Sequence, residues 1–224
     1  MSTPRWVRLL LALGVSTTAG CDRRQAPRPS TDQGVHDDPT AASTKSAAGD
    51  PDTAPGQAKM TSAPKNSDLV VTRVIAAPVE RVWKAWTDSE LVMQWWGPKG
   101  FTCPVARMEF REGGVSLVCM RAPKEFGGQD MYNTWTYEKI DSMNRFVYVH
   151  RFSDKDGNAM DPVELGLSPD IPKEMRHEVT FRKLDKDRTE ITVIEHGWPV
   201  GPMLEMSRTG LEQCLDKMAA LLGK

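Results

Sequence analysis

Residues 22–66 contain no aromatic residue, no leucine and no isoleucine. Most of this stretch consists of Ala, Pro, Ser, Thr, Asp, Gly and Gln. Such a composition cannot bury enough apolar surface to offset the entropy lost when a chain becomes ordered. The sequence therefore predicts a disordered tether over 22–66. All aromatic residues except Trp6 follow it, which predicts one folded domain over 67–224.

The N-terminal apolar segment is too short to span a membrane. It has thirteen uncharged residues, 9–21, whereas a membrane-spanning helix needs about 20. Arg5 and Arg8 precede this segment and small residues end it, which is typical of a secretory signal peptide. The sequence Thr-Ala-Gly-Cys at 18–21 resembles the lipoprotein box of bacterial signal peptides, although Thr18 stands where that box has leucine.

The lipoprotein resemblance implies that 1–21 is a signal peptide and that Cys21 becomes the lipidated first residue of the mature protein. We therefore expect a membrane anchor at Cys21 and a domain on the extracytoplasmic, periplasmic side of a bacterial membrane. A tether of this length would hold the domain about 35–40 Å from its anchor. The alternative is a plain secretion signal in which Cys21 is incidental.

Histidine is scarce, and the common catalytic and phosphate-binding motifs are missing. The chain has four histidines, and His150, His177 and His196 lack the short spacing of a metal site. No Gly-rich phosphate loop, G-x-S-x-G or H-E-x-x-H sequence occurs. Lys and Arg number 29 against 30 Asp and Glu, so there is no basic excess for a nucleic acid. We expect no catalytic residue, metal, cofactor or nucleic-acid partner.

The four cysteines leave an odd number once Cys21 is set aside. Cys103 and Cys119 lie on one predicted hairpin around 112–114, about four residues out of register. That offset corresponds to about 13 Å, beyond the ~7 Å that a disulfide tolerates. We therefore expect free, buried thiols.

The last segment, 203–222, has the apolar periodicity of an amphipathic helix. Its apolar residues recur at steps of three and four, namely Met203, Met206, Gly210, Leu211, Cys214, Leu215, Met218 and Leu222. A helix of this kind needs a partner against which to bury that face. Gly210 has no side chain and the two methionines before it are flexible, so this part of the face has little rigid bulk. That fits either ordinary core packing or a helix held above a cavity.

The preceding residues predict one antiparallel sheet. Seven strands are expected, at 67–75, 102–111, 115–122, 130–139, 144–152, 175–184 and 188–196. Pro78 suits the first position of a helix, and Thr87 and Glu90 form a capping box for a second short helix. Four tryptophans between 83 and 96 indicate core packing more than an aromatic binding box. The element order predicts an α+β fold in which the sheet curls around the last helix.

Four sequence stretches carry a family resemblance. They are Ala-Pro-x-Glu-Arg-Val-Trp-x-Ala-Trp-Thr-Asp at 77–88, Trp-Trp-Gly-Pro-x-Gly-Phe at 95–101, Arg-x-Gly-Gly at 111–114 and Gly-Trp at 197–198. Together they resemble the branch of the SRPBCC (START/Bet v allergen-like) superfamily named after the activator of the heat-shock-protein-90 ATPase.

The resemblance implies a helix-grip fold, in which a seven-stranded antiparallel sheet wraps a C-terminal helix around a hydrophobic ligand cavity. It implies no catalytic residues, because the family has no shared set that matches positions of this sequence. The family's namesake stimulates a cytosolic chaperone. A domain anchored outside the cytosol through Cys21 would not meet that partner.

The inward-facing strand residues supply the candidate ligand contacts. The candidate ligand contacts are Met108, Met120, Asn133, Trp135, Tyr148, His150, His177 and Phe181, with Glu195 on the last strand and Met206 on the last helix. Four of these are polar within an otherwise apolar register. An unpaired buried polar group costs about 1–3 kcal/mol, so we expect these four to pair with each other, with water or with a ligand.

The connection 157–174 is long for a hairpin and rich in both proline and apolar residues. It is expected to form either a lid over the cavity or a loop packed on the surface. The leading functional hypothesis is a membrane-anchored, non-enzymatic binding protein for a small hydrophobic or amphipathic ligand. The alternatives are an enzyme of the polyketide cyclase or aromatase type and a protein-interaction module.

Overall fold

The computed structural model describes residues 65–223, which form one seven-stranded antiparallel sheet and three α-helices. In chain order the elements are β1 Asn66–Ile75, α1 Val79–Thr87, α2 Ser89–Trp95, β2 Thr102–Arg107, β3 Val115–Arg121, a 3₁₀ turn Lys124–Phe126, β4 Asp130–Asp141, β5 Arg145–Ser153, β6 Glu174–Lys183, β7 Thr189–Pro199 and α3 Pro202–Leu222. The strand order is β1-β7-β6-β5-β4-β3-β2. This architecture confirms the predicted helix-grip fold.

The predicted signal peptide 1–21, with Cys21, and the tether as far as residue 64 lie outside the described residues. Asn66, assigned to the tether from composition, begins β1. Within 65–223, no helix is long and apolar enough to cross a membrane.

Strand β2 is shorter than the sequence predicted. It ends at Arg107 instead of 111, although Met108 and Phe110 continue the apolar alternation. Beyond Arg107, side chains take over the backbone hydrogen bonds. The Met108 N–H donates to Ser89 Oγ at 3.3 Å, and the Glu109 N–H donates to Ser116 Oγ at 2.9 Å. The chain therefore leaves the sheet before its apolar pattern ends.

The starts of the two short helices differ by one residue from the predictions. Pro78 is the N-cap residue of α1, and the helix itself begins at Val79. The N-cap of α2 is Asp88, whose carboxylate accepts hydrogen bonds from the N–H groups of Glu90 and Leu91. Thr87 was predicted to cap α2, but its hydroxyl instead donates to the Trp83 carbonyl at 3.3 Å. Aspartate and threonine are both good caps, and here the aspartate occupies the position.

Helix α3 buries the predicted apolar face against the sheet. Its buried residues are Met203, Leu204, Met206, Leu211, Cys214, Leu215, Met218 and Leu222. Two contacts attach it to edge strand β1. Arg73 pairs with Asp216 at 2.8 Å, and Arg208 donates to the Val70 carbonyl at 2.8 Å. The helix therefore also covers the otherwise unpaired side of β1.

An aromatic cluster fills one end of the interior. Its members are Trp83, Trp86, Phe110, Tyr137, Phe146 and Phe181. Trp83 contacts three of them edge-on, with ring centroids 5.1–5.7 Å apart. Trp86 and Trp95 are almost fully buried, and the Trp95 indole N–H donates to the Ala85 carbonyl at 2.8 Å. These rings are core residues, as predicted.

The three cysteines of residues 65–223 are free and buried, as predicted, but the register on which that prediction relied was wrong. The sheet pairs Val105 with Cys119 and Thr102 with Arg121, with a β-bulge between them. Cys103 therefore lies within about two residues of Cys119 along the ladder instead of four. Cys103 belongs to the main apolar cluster, whereas Cys119 is buried outside that cluster.

Candidate ligand cavity

A cavity of about 180 Å³ lies between one end of the sheet and α3. Its wall is mostly apolar and comes from five strands, α3 and two connections. The lining residues are Trp96, Pro98, Phe101, Met120, Met131, Asn133, His150, Phe152, Leu167, Ile171, Met175, His177, Glu195, Trp198, Met203, Met206, Ser207, Gly210, Leu211 and Cys214. A half-open, largely apolar space of this kind is typical of a small-molecule site.

The aromatic cluster explains why the cavity lies at only one end. Strands β4 and β6 line it with their first residues, and β5 and β7 line it with their last. These four ends coincide because neighbouring strands run antiparallel. The opposite end of the same interior is filled by the large rings of the cluster. The fold therefore encloses a cavity next to a packed core.

Six of the ten predicted ligand contacts line the cavity. They are Met120, Asn133, His150, His177, Glu195 and Met206. The other four do not. Met108 lies beyond the end of β2, and Trp135, Tyr148 and Phe181 pack into the core, with Trp135 and Tyr148 rings 5.1 Å apart. Strand alternation identified the inward face correctly, but it does not show how far along each strand the core is packed.

The prediction missed several lining residues that the sequence could have indicated. Met131 and Met175 share the inward register of the chosen residues at the cavity end of their strands. Phe152 follows His150 by two positions on β5. Trp96 and Phe101 come from the stretch at 95–101, which carries the family resemblance and by itself predicts no ligand contact. Only their position in space shows that they belong to the cavity.

Among residues 65–223, Glu195 is the only acidic residue that lines the cavity. Its Oε2 accepts hydrogen bonds from the Trp198 indole N–H at 2.8 Å and from the Ser207 hydroxyl at 3.0 Å. Its Oε1 lies 3.8 Å from His177 Nδ1. Burial raises the pKa of Glu195, and the two hydrogen bonds partly offset this effect. The carboxyl group is thus held in place by α3 and by the end of β7.

His177 and His150 lie side by side beneath the cavity, with ring centroids 5.6 Å apart. The Tyr148 ring stacks on His177 at 4.7 Å, and the Tyr148 hydroxyl lies 3.3 Å from His177 Nδ1. Burial lowers the pKa of each imidazole to about 3, so both are neutral at physiological pH. One nitrogen of each ring is buried without a hydrogen-bond partner, Nε2 of His177 and Nδ1 of His150.

Asn133 is satisfied within its own strand, because its Oδ1 accepts a hydrogen bond from the Trp135 indole N–H at 2.9 Å. Trp96 contributes a third unpartnered polar atom, the indole Nε1. The four predicted polar residues therefore split into two kinds. Asn133 and Glu195 have partners in the protein, whereas His150 and His177 each keep one free ring nitrogen.

The long connection 157–174 contributes to the cavity wall. Leu167 and Ile171 are buried and face the cavity, and the backbone N–H of Ile171 donates to the Ser168 carbonyl at 3.1 Å. Lys173 and Asp161 form an ion pair that joins the two ends of this connection. The segment thus covers part of the cavity.

A seven-stranded antiparallel sheet that holds a C-terminal helix over an apolar cavity defines a helix-grip domain of the SRPBCC superfamily. More specifically, the chain belongs to the family of activator of Hsp90 ATPase homolog 1-like proteins, whose sequence pattern matches residues 76–223. No curated protein matches the chain.

Several solved structures share the fold. A protein from Chromobacterium violaceum is 25% identical with a TM-score of 0.55, over 70% of this chain and 97% of that one. A protein from Staphylococcus epidermidis is 22% identical with a TM-score of 0.56, over 73% and 94%. The AHSA1 protein from Silicibacter pomeroyi is 18% identical with a TM-score of 0.55, over 70% and 98%. The last two likenesses concern the fold alone.

Proposed function

We propose that this chain is a membrane-anchored binding protein that holds a small hydrophobic or amphipathic molecule in the cavity between its sheet and α3. The cavity of about 180 Å³ is the observation that carries the proposal. An apolar cavity inside a protein is costly, since interiors otherwise pack to crystal-like density. A ligand would supply the missing contacts of the wall.

Occupancy of the cavity can be tested by native mass spectrometry. The full chain carrying Cys21→Ser, which removes the proposed lipidation site, would be purified without detergent. We expect a small molecule to be retained. Gly210→Leu, which adds a side chain to the cavity wall, should abolish retention, whereas Ala220→Leu on the exposed side of α3 should not. Equal retention in both variants, or none in the parent chain, would contradict the proposal.

The membrane anchor rests on the sequence around Cys21. Labelled palmitate fed to bacteria that express the full chain should be incorporated, and the protein should be found in the membrane fraction. Cys21→Ser should abolish both, and Cys103→Ser, a buried cysteine of the domain, should abolish neither. If Cys21→Ser still incorporates labelled palmitate, Cys21 is not the lipidated residue.

The alternative enzymatic function is favoured by one feature, the pair of His177 and Glu195 on the wall of the cavity. A general base works best with a pKa near the operating pH. Burial instead lowers the pKa of His177 to about 3, which leaves a neutral and weakly basic ring. His177 is therefore poorly suited to proton abstraction, and of the pair only Glu195, whose pKa burial raises, shifts towards the range that a general base needs.

A protein-interaction module would need an exposed apolar patch. Within residues 65–223, the large exposed apolar residues are spread over six parts of the chain, and only Val70 and Val74 share an element, β1; the others are Met93, Val115, Met143, Val163 and Val200. The outer face of the sheet carries ion pairs instead, such as Arg176 with Glu138 at 3.0 Å. The chaperone activity in the family's name is accordingly not part of this proposal.

A further inference from the structure

The cavity wall also indicates what kind of molecule it would bind. We propose, on the basis of the proposed function, that the ligand is a small neutral molecule with one apolar ring and one hydroxyl group. The hydroxyl would bind to the free ring nitrogens of His177 and His150 after a small shift of these rings brings the buried nitrogens to the cavity surface, and the ring would lie against the apolar wall. This class excludes anionic amphiphiles such as fatty acids.

The size of the cavity sets the size of the apolar body. A protein cavity of about 150 Å³ lined by aliphatic and aromatic residues binds benzene. The present cavity, at about 180 Å³, therefore has room for one six-membered ring with a short substituent. Aromatic side chains on the wall, among them Phe101, Phe152 and Trp198, would contact the faces and edges of such a ring.

The unpartnered polar atoms require a group that can both donate and accept hydrogen bonds. His177 Nε2 and His150 Nδ1 are buried without partners. A neutral imidazole has one donor and one acceptor nitrogen, and the Tyr148 hydroxyl can pair with either tautomer of His177. The indole N–H of Trp96, which is also unpartnered, can only donate. A hydroxyl group can pair with every one of these atoms, whereas a hydrocarbon can pair with none.

The charge on the wall favours a neutral ligand. Within the described part of the chain, no lysine or arginine lines the cavity. An anion would therefore lose its hydration without gaining a positively charged partner there. It would also lie near Glu195. A cation would meet two neutral imidazoles and a carboxyl group in which only Oε1 is left to accept, since Oε2 already accepts hydrogen bonds from Trp198 and Ser207; benzylamine tests this possibility below.

Four molecules of similar size and shape distinguish these possibilities. Ethylbenzene, benzyl alcohol, benzylamine and benzoate would be titrated into the full chain carrying Cys21→Ser at neutral pH, with binding measured by calorimetry. We expect benzyl alcohol to bind most tightly, about tenfold more tightly than ethylbenzene, as one added hydrogen bond in a buried site allows.

The possible results separate this inference from the proposed function. Equal affinity for ethylbenzene and benzyl alcohol would overturn the inference and leave a hydrophobic cavity in place. Tightest binding of benzylamine or benzoate would overturn the neutral class. Failure of all four to bind, while the chain still retains a small molecule in native mass spectrometry, would overturn the inference and leave the proposed function in place.

Histidine variants test the atoms involved. His177→Phe keeps a ring of similar size but removes the free nitrogen, and should reduce the affinity for benzyl alcohol about tenfold while leaving that for ethylbenzene unchanged. His196→Phe is the matched control, because His196 lies on the neighbouring strand β7, pairs with Asp68 and is not among the residues that line the cavity. If His177→Phe does not fold, His150→Phe provides the same comparison. If a folded variant of either histidine binds benzyl alcohol with unchanged affinity, that histidine does not bind the hydroxyl group.

Discussion

His150 and His177 are each at least nine-tenths buried, and together they make the stability of the domain depend on pH. Burial lowers both pKa values from 6.5 to about 3. Between these values the unfolded chain binds more protons than the folded chain. The stability that the neutral rings provide is therefore complete above pH 6.5 and is lost as the pH falls towards 3.

We expect the free energy of unfolding, measured with urea, to fall between about pH 7 and pH 5, by up to about 1.4 kcal/mol per pH unit for each histidine. His150→Phe should remove about half of this slope. Glu195 acts in the opposite direction, because burial raises its pKa and its contribution is lost as the pH rises. Glu195→Gln should thus steepen the slope. A slope that stays the same in His150→Phe would show that this ring is not buried in its neutral form.

At the scale of the element, the ends of the short helices depend on single side chains. Asp88 accepts two backbone hydrogen bonds at the start of α2, whereas Thr87 accepts none there. Asp88→Ala should lower the free energy of unfolding by about 1 kcal/mol, measured by urea denaturation. Thr87→Ala, the comparison variant, should change it less. A larger loss of stability in Thr87→Ala than in Asp88→Ala would show that Thr87 caps α2.

Helix α3 contains a glycine on its cavity side, and that glycine has an energetic cost. Gly210→Ala should raise the free energy of unfolding by about 0.5–1 kcal/mol, because alanine loses less backbone entropy in a helix. The added methyl group would also reduce the cavity volume. Ala220→Gly, on the exposed side of the same helix, should lower stability by a similar amount. Destabilisation by Gly210→Ala would show that the wall has no room for a methyl group at this point.

The sequence predicted the strands of this domain well, because an apolar pattern, alternating in β1 and β6 and continuous in β3 and β5, extends through them. It failed where alternation outlasts the strand, as at Met108, and where two good capping residues are adjacent, as at Thr87 and Asp88. The position of the cavity was not predictable in the same way. Trp135 and His150 are cross-strand partners on the same face, yet only His150 lines the cavity. Which end is filled depends on how the rings of α1 pack against the sheet, and no local pattern contains that information.

At the scale of the whole molecule, the alkylation rates of the three cysteines of the domain measure how readily the folded domain exposes its interior to solvent. Burial raises the pKa of Cys103 and of Cys214 to about 12 and that of Cys119 to about 11. All three should therefore resist alkylation by iodoacetamide in the native state and react fully in urea. Cys214 faces the cavity and should be protected further by a bound ligand. Rapid modification of the native protein, or an intramolecular disulfide, would contradict this arrangement.

The pairing of the first strand with the last has a consequence for biogenesis. Thr72 and Thr192, which share a hydrogen bond of 2.9 Å, are separated by 120 positions along the chain. The edge of the sheet and its covering helix thus cannot assemble until the C-terminal end of the polypeptide is available. The domain therefore remains incomplete until residues 202–222 have left the ribosome. That delay fits the export that we propose, because a secretion pore takes up an unfolded chain.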